Sequence, residues 1–153
     1  MSALELKIPP VAVTVLLAVL MWLLAQVTPG YDLPAALRLA ALTACMAAGV
    51  AVGVAAVWSF RGARTTVNPL SPHASTVLVT SGVYRFSRNP MYLGLLLVLA
   101  GWGLLLANAF ALLLALGFIP YMNRFQIGPE ERALQQMFGQ AFADYRQRVR
   151  RWL

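Results

Sequence analysis

The sequence predicts an all-α integral membrane protein: about four transmembrane helices, the last two a helical hairpin, followed by C-terminal helices at the cytoplasmic membrane interface. Three observations predict it. Hydrophobic residues make up 60% of the 153 and charged residues only 11%, against roughly 25% charged in typical globular chains, so there are too few charges to cover a water-facing surface. Apolar runs of membrane-spanning length recur along the chain. The net charge of +7 resides mainly in arginines that collect where apolar runs end, as membrane proteins place them. They form no stripe on one element, so nucleic acid is excluded as a partner and the lipid bilayer takes its place.

The first run, Pro10 to Val27, carries no charge. Its roughly 18 residues rise about 27 Å as a helix, close to the hydrocarbon thickness. Pro9 and Pro10 suit a helix start. Lys7 followed by apolar residues resembles a signal peptide, but no clear small-residue cleavage site follows and further spans come after, so a retained first helix is expected. Thr28-Pro29-Gly30-Tyr31-Asp32 reads as a turn. The second run, Pro34 to about Phe60, is rich in alanine and valine. Its Ala48, Gly49, Ala51, Gly53, Ala55 and Ala56 would let a neighbouring helix approach closely, and Arg38 would snorkel to the interface.

Arg61 to Arg88 is a polar connector of about 28 residues, a length that usually signals function or disorder. Its aromatic and apolar content argues against disorder. Ser75 to Thr80 is β-prone but too short to predict a sheet. The third run, Pro90 to Ala107, and the fourth, Ala109 to Met122 extended to about Phe125, read as a helical hairpin turning at Asn108.

Past it, Pro129-Glu130-Glu131-Arg132 reads as a helix start, with proline and acids in the first turn, and Gly139 as its C-terminal cap. Phe142, Tyr145, Val149 and Trp152 then fall on one stripe of a last helix. Arg146, Arg148, Arg150 and Arg151 occupy its other faces, as in an interfacial helix on anionic headgroups. The loop from Thr28 to Leu33 has no Lys or Arg, the connector has Arg61, Arg64, Arg85 and Arg88, and the C-terminal part has six arginines counting Arg124 and Arg132. Both termini and the connector are therefore expected on the cytoplasmic side of the inner membrane.

The residues exclude several chemistries. One cysteine, Cys45, and one histidine, His73, supply neither an internal disulfide nor a metal site. No nucleophile–base–acid triad and no phosphate-binding glycine loop is apparent. Of five acids, Glu5, Asp32 and Asp144 look peripheral, which leaves Glu130-Glu131 beside a membrane end. Such a set suits a reaction that needs alignment more than acid–base chemistry, and methyl transfer from a sulfonium donor is one. A glutamate can take ribose hydroxyls or an amino group, an arginine can take a carboxylate or phosphate, and the helix start after Asn89-Pro90 can hold an anion.

Two motifs carry a resemblance. Leu78-Val79-Thr80-Ser81-Gly82-Val83-Tyr84 with Arg88-Asn89-Pro90-Met91-Tyr92-Leu93-Gly94 is the first. Glu130-Glu131, Leu134, Phe138-Gly139, Phe142, Tyr145, Val149 and Arg151 are the second. Together they resemble the isoprenylcysteine carboxyl methyltransferase family, the integral-membrane methyltransferases that include phospholipid N-methyltransferases, over roughly residues 62–151. The resemblance implies an enzyme using S-adenosyl-L-methionine, held between the motifs, on a lipophilic or small amphiphilic acceptor entering from the bilayer, with no metal. It implies a single membrane domain in which residues 1–60 form two N-terminal helices and 61–153 the methyltransferase core.

By the same resemblance, Thr76, Val77, Leu78, Val79, Tyr84, Arg88, Asn89, Pro90, Met91 and Tyr92 line the cofactor and Glu130 is its acidic contact. Glu131 joins that set or caps its own helix. Many members carry histidine where this chain has Asn89. The prenylcysteine enzymes carry an arginine where this chain has Gln126, with Arg124 two residues earlier, so Arg124 and Gln126 are the candidates for positioning the acceptor. Two other readings stay open: an NADPH-dependent membrane reductase related to sterol reductases, which share a similar C-terminal motif, and a non-catalytic membrane scaffold.

Overall fold

The computed structural model describes residues 5–62 and 77–153, and among them every regular element is helical. Helix α1 is Pro10–Val27 and α2 is Ala35–Gly62. A 3-10 turn, Gly82–Arg85, leads into α3, Pro90–Leu106. Helices α4 (Ala109–Leu116) and α5 (Phe118–Met122), a π turn (Asn123–Ile127) and α6 (Gly128–Arg148) follow without a break in chain direction. Helices α1, α2 and the continuous run from Ala109 are long and apolar enough to cross a membrane, and α3 is a shorter apolar helix. That run holds 40 residues, about twice what a bilayer needs. Its apolar part ends near Ile127, so the spanning segment is taken as 109–127 and α6 lies beyond it.

The chain pairs its helices where side chains are smallest. A Cβ on Gly49 of α2 would lie 2.7 Å from the Gly94 carbonyl oxygen of α3, and one on Gly94 would lie 2.7 Å from that of Gly49. Further along the same pair of helices, Gly101 packs on Cys45. In lipid no hydrophobic drive pulls helices together, so this close backbone packing is what holds α2 to α3. A second core joins α1, α3, α4 and α5 through Val13, Met21, Leu99, Ala111, Ala115, Phe118 and Met122.

The hairpin turns as the sequence predicts. Ala107 takes a left-handed conformation (φ 48°), and the Asn108 side chain accepts from the Ala111 N–H at 2.9 Å to cap α4. Asn108 Nδ2 also donates to Thr28 Oγ1 at 2.9 Å, and Tyr31 N–H donates to the Ala107 carbonyl at 2.9 Å. The two loops at this end of the bundle are thereby stitched together. Arg38, expected at the interface, donates through Nε to the Leu105 carbonyl at 2.6 Å, at the C-terminal end of α3.

The fourth segment does not end before Pro129. A proline inside a helix lacks an N–H and leaves the carbonyl four residues back without its donor. Here the π turn shifts the ladder just before Pro129, with Gly128 N–H bonded to the Asn123 carbonyl. The orphaned Phe125 carbonyl accepts from Leu6 N–H at 3.1 Å instead. Glu5 then pairs with Arg132 at 2.8 Å, so the segment before α1 is fastened to the start of α6.

Gly139 does interrupt the helix, with φ 49° and ψ −121°, but the chain resumes and ends at Arg148. Val149 is extended, so Trp152 does not continue the helical stripe. Phe142, Tyr145 and Val149 face inward against Leu78, Leu134 and Phe138, and the apolar stripe covers the protein rather than lipid.

Candidate functional site

The site forms where the first turn of α3, the start of α6 and the segment after α6 meet. Pro90 sits at the first helical position of α3, where a missing N–H costs nothing. That start fixes the side chains of 88–92 against the 3-10 turn. Gly82 opens the turn at φ 61°, and a Cβ there would lie 2.6 Å from Ser59 Oγ at the end of α2. Tyr84 is buried with its ring edge-on to Phe60, centroids 5.4 Å apart. Its carbonyl accepts from the Tyr145 hydroxyl at 2.7 Å, which ties the turn to α6.

Glu130 and Glu131, adjacent in sequence, face different partners. Glu130 Oε1 accepts from the Tyr92 hydroxyl at 2.5 Å and from Gln126 Nε2 at 2.6 Å. Gln126 lies four residues earlier on the same helical path, presented by the π turn, and is itself buried. Burial pushes the Glu130 carboxyl up to about 7. The bonds from Tyr92 and Gln126 pull it back only in part, and the neighbouring Glu131 charge adds to the rise.

Glu131 is an ion-pair hub. Arg88 Nη2 donates to its Oε1 at 2.7 Å and Arg151 Nη2 to its Oε2 at 2.5 Å. Burial alone would raise this carboxyl, but the two guanidiniums outweigh it and hold it below the usual carboxylate range. Arg88 Nη1 donates in addition to the Val149 carbonyl at 2.6 Å. Its Nε is buried and meets no acceptor among the described residues.

The segment after α6 closes over this hub. The Arg150 carbonyl accepts from Arg88 N–H at 3.0 Å and the Arg151 carbonyl from Asn89 Nδ2 at 2.9 Å. Trp152 Nε1 donates to Asn123 Oδ1 at 3.1 Å and its ring meets Phe118 edge-on. Residues 149–152 thus bridge the start of α3 and the π turn.

Of the sequence-predicted site residues, Tyr92, Gln126 and Glu130 form one cluster and Arg88, Asn89 and Glu131 the adjoining one. Met91 packs between the core and the Tyr84 cluster. Val79 is buried beside Tyr84, Leu78 lies against Phe142, and Val77 is exposed. Arg124 is exposed on the π turn. Thr76, with Arg64, His73 and part of the β-prone stretch, lies outside the described residues. The sequence placed Tyr145 and Trp152 on an apolar stripe and Arg151 among headgroup-facing arginines, and Ser87 had no assigned role; their contacts at this site were not expected. Ser87 and Tyr145 find partners about 60 residues away, Trp152 about 30 and Arg151 about 20, and helical periodicity reports burial but not the identity of a distant partner.

Residues 37–141 match the family described as phospholipid methyltransferase. The chain belongs to this family. Within the phospholipid methyltransferase family frame, a second similarity reaches the same reaction class. A protein-S-isoprenylcysteine O-methyltransferase B of Arabidopsis thaliana is 39% identical over 75 residues, 47% of this chain and 36% of that protein. An uncharacterized protein of Haemophilus influenzae is 49% identical over 63 residues, 41% of this chain and the whole of that protein. The chain thus spans little more than a third of the Arabidopsis protein. No solved structure matches significantly. Family membership and the long apolar helices together make this an integral membrane protein of a methyltransferase family.

Proposed function

We propose that the protein transfers a methyl group from S-adenosyl-L-methionine to a lipophilic or small amphiphilic acceptor at the cytoplasmic face of the inner membrane. The observation that carries this reading is the bond from Tyr92, in the first motif, to Glu130, in the second, at a membrane end of a methyltransferase-family chain. The similarity to an enzyme named for protein-S-isoprenylcysteine O-methylation supports the same reaction class.

The donor set fits the cofactor's polar groups. Glu130 offers a carboxylate to an ammonium or to ribose hydroxyls. Arg88 retains one buried N–H without an acceptor among the described residues, a donor suited to an anionic group. When bound, the sulfonium supplies a methyl that is already activated. The task left to the chain is alignment and exclusion of water.

Tyr84, Asn89, Pro90, Met91 and Tyr92 would form one wall of the cofactor site, with Val77, Leu78 and Val79 beside them and Thr76 as a further contact. Glu130 and Glu131 would form the other. Glu131, with Arg88 and Arg151, keeps the two walls at fixed separation. Arg124, exposed on the π turn, and Gln126 remain the residues for orienting an acceptor that arrives along the lipid-facing helices. Residues 1–60 anchor this core of 61–153 in the bilayer.

The cytoplasmic assignment draws on charge. Leu6 meets Phe125 at one end of the bundle, where Arg61, Arg85, Arg88 and the C-terminal arginines also lie, while residues 28–33 at the other end carry none.

The test is transfer itself. Purified protein in lipid nanodiscs, given methyl-labelled S-adenosylmethionine and a native lipid extract, is expected to label a lipid-extractable product identifiable by mass spectrometry. Glu130→Gln should suppress it. A wild-type protein that labels nothing in extracts from its own membrane would count against the reading.

A further inference from the structure

Both hydrogen bonds that reach the Glu130 carboxylate from the described residues end on one oxygen. Tyr92 and Gln126 donate to Oε1 at 2.5 and 2.6 Å, and no donor among the described residues reaches Oε2. An ionised carboxylate has about four lone-pair positions, so two donors on one oxygen fix the plane of the group and leave the second oxygen available. The residue retains partial exposure, which fits an oxygen that a ligand can reach.

We propose that Tyr92 and Gln126 are positioning residues that turn Oε2 of Glu130 outward, where it accepts the N–H or O–H donor of the cofactor. This rests on the methyltransferase reading above. It moves Gln126 from the acceptor side of the site to the cofactor side.

The chemistry explains why an amide suits position 126. A guanidinium there would pair with the carboxylate and hold it ionised whether or not the cofactor were present. The Gln126 amide fixes the group without neutralising it, so the negative charge remains for a cationic ligand. The π turn makes the contact possible, because it sets the helical path that carries both Gln126 and Glu130 toward Tyr92. Among the described residues, the other charged and titratable groups around Glu130 are Tyr84 on the 3-10 turn and Glu131 beside it, the latter already paired with Arg88 and Arg151.

Calorimetric titration of S-adenosylmethionine into the purified full chain in detergent, repeated at several pH values across the Glu130 transition, tests the proposal. Binding needs the carboxylate ionised, so affinity should rise with pH. Gln126→Leu and Tyr92→Phe each remove a donor that favours the ionised form. Each should move the midpoint to higher pH and weaken binding about tenfold at neutral pH. Gln126→Arg keeps a donor and adds charge, so it should move the midpoint to lower pH. A role in packing alone would weaken binding equally at every pH, and midpoints that coincide with the wild type in all three variants would overturn the proposal. Because Gln126→Arg moves the midpoint opposite to the other two, general loss of folding cannot imitate the pattern. Wild-type protein that fails to bind at any pH would overturn the methyltransferase reading and this inference together. Wild-type binding without midpoint shifts would overturn only the inference.

Discussion

Glu130 and Glu131 show how far one peptide bond separates two environments. Glu131 meets two guanidiniums and Glu130 meets two neutral donors, so their carboxyls shift in opposite directions. Glu131→Ala would leave the Arg88 guanidinium, with only 10% of its side chain exposed, facing Arg151 without an anion. Breaking such a pair costs about 3 kcal/mol or more, so we expect a clearly lowered melting temperature in detergent, with Glu130→Ala affecting it far less. Equal melting temperatures for the two variants would contradict this division of roles. The pH response should divide likewise. Glu131 stabilises the fold above its ordinary pKa of 4.5 and loses that contribution as pH falls further. Glu130 is raised, so the cofactor-free fold binds more protons than the unfolded chain and loses stability as pH rises from 4.5 through about 7. A melting series over that window should fall in the wild type and flatten in Glu130→Gln. The sequence made the acidic pair visible as the one concentrated acidic feature. It could not tell the two apart, because Tyr92, which meets Glu130, and Arg88 and Arg151, which meet Glu131, lie about 20 to 40 positions away.

At the scale of elements, hydrophobic runs and proline positions were legible. The start of α1 at Pro10, the hairpin turn at Asn108 and the start of α3 at Pro90 all lie where composition puts them. The π turn was not legible. Pro129 after Gly128 reads as a start because proline usually ends what precedes it. Here the freed Phe125 carbonyl finds Leu6 N–H, a partner some 120 residues earlier in the chain, and the helix continues. The last helix was read one turn too long for a similar reason, since Val149 to Trp152 keep the apolar spacing while their carbonyls and side chains bind Arg88, Asn89 and Asn123. Two glycine substitutions probe this scale. Gly49→Ala sets a methyl 2.7 Å from a backbone oxygen and should cost about 1–3 kcal/mol by overpacking α2 against α3. Gly139→Ala meets no neighbour within 4 Å, yet its positive φ makes it cost about 1–3 kcal/mol through backbone strain. Thermal melts in detergent measure both, and a Gly139→Ala variant as stable as the wild type would remove the argument for a fixed kink.

At the scale of the molecule, the fold brings two motifs about 40 residues apart in sequence to one membrane end. The apolar hairpin between them sets their separation, and the segment after α6 closes it. The proposed cytoplasmic side of this end rests on the charge pattern. In a Cys45→Ala background, a cysteine at Tyr31 should be labelled by an impermeant thiol reagent from the outer side of intact cells, while one at Arg150 should react only after permeabilisation. The reverse labelling would contradict the proposed cytoplasmic orientation.

On the proposed function, Tyr92 and Glu130 join the two motifs into one cofactor site. Isothermal calorimetry of S-adenosylmethionine with the purified protein in detergent tests it most directly, comparing wild type with Glu130→Ala and the closer isostere Glu130→Gln. Saturable binding to the wild type at about one site per chain is expected, lost in both variants while their melting temperatures remain near the wild-type value. Undetectable binding to the wild type, or undiminished binding to folded Glu130→Ala and Glu130→Gln, would contradict it.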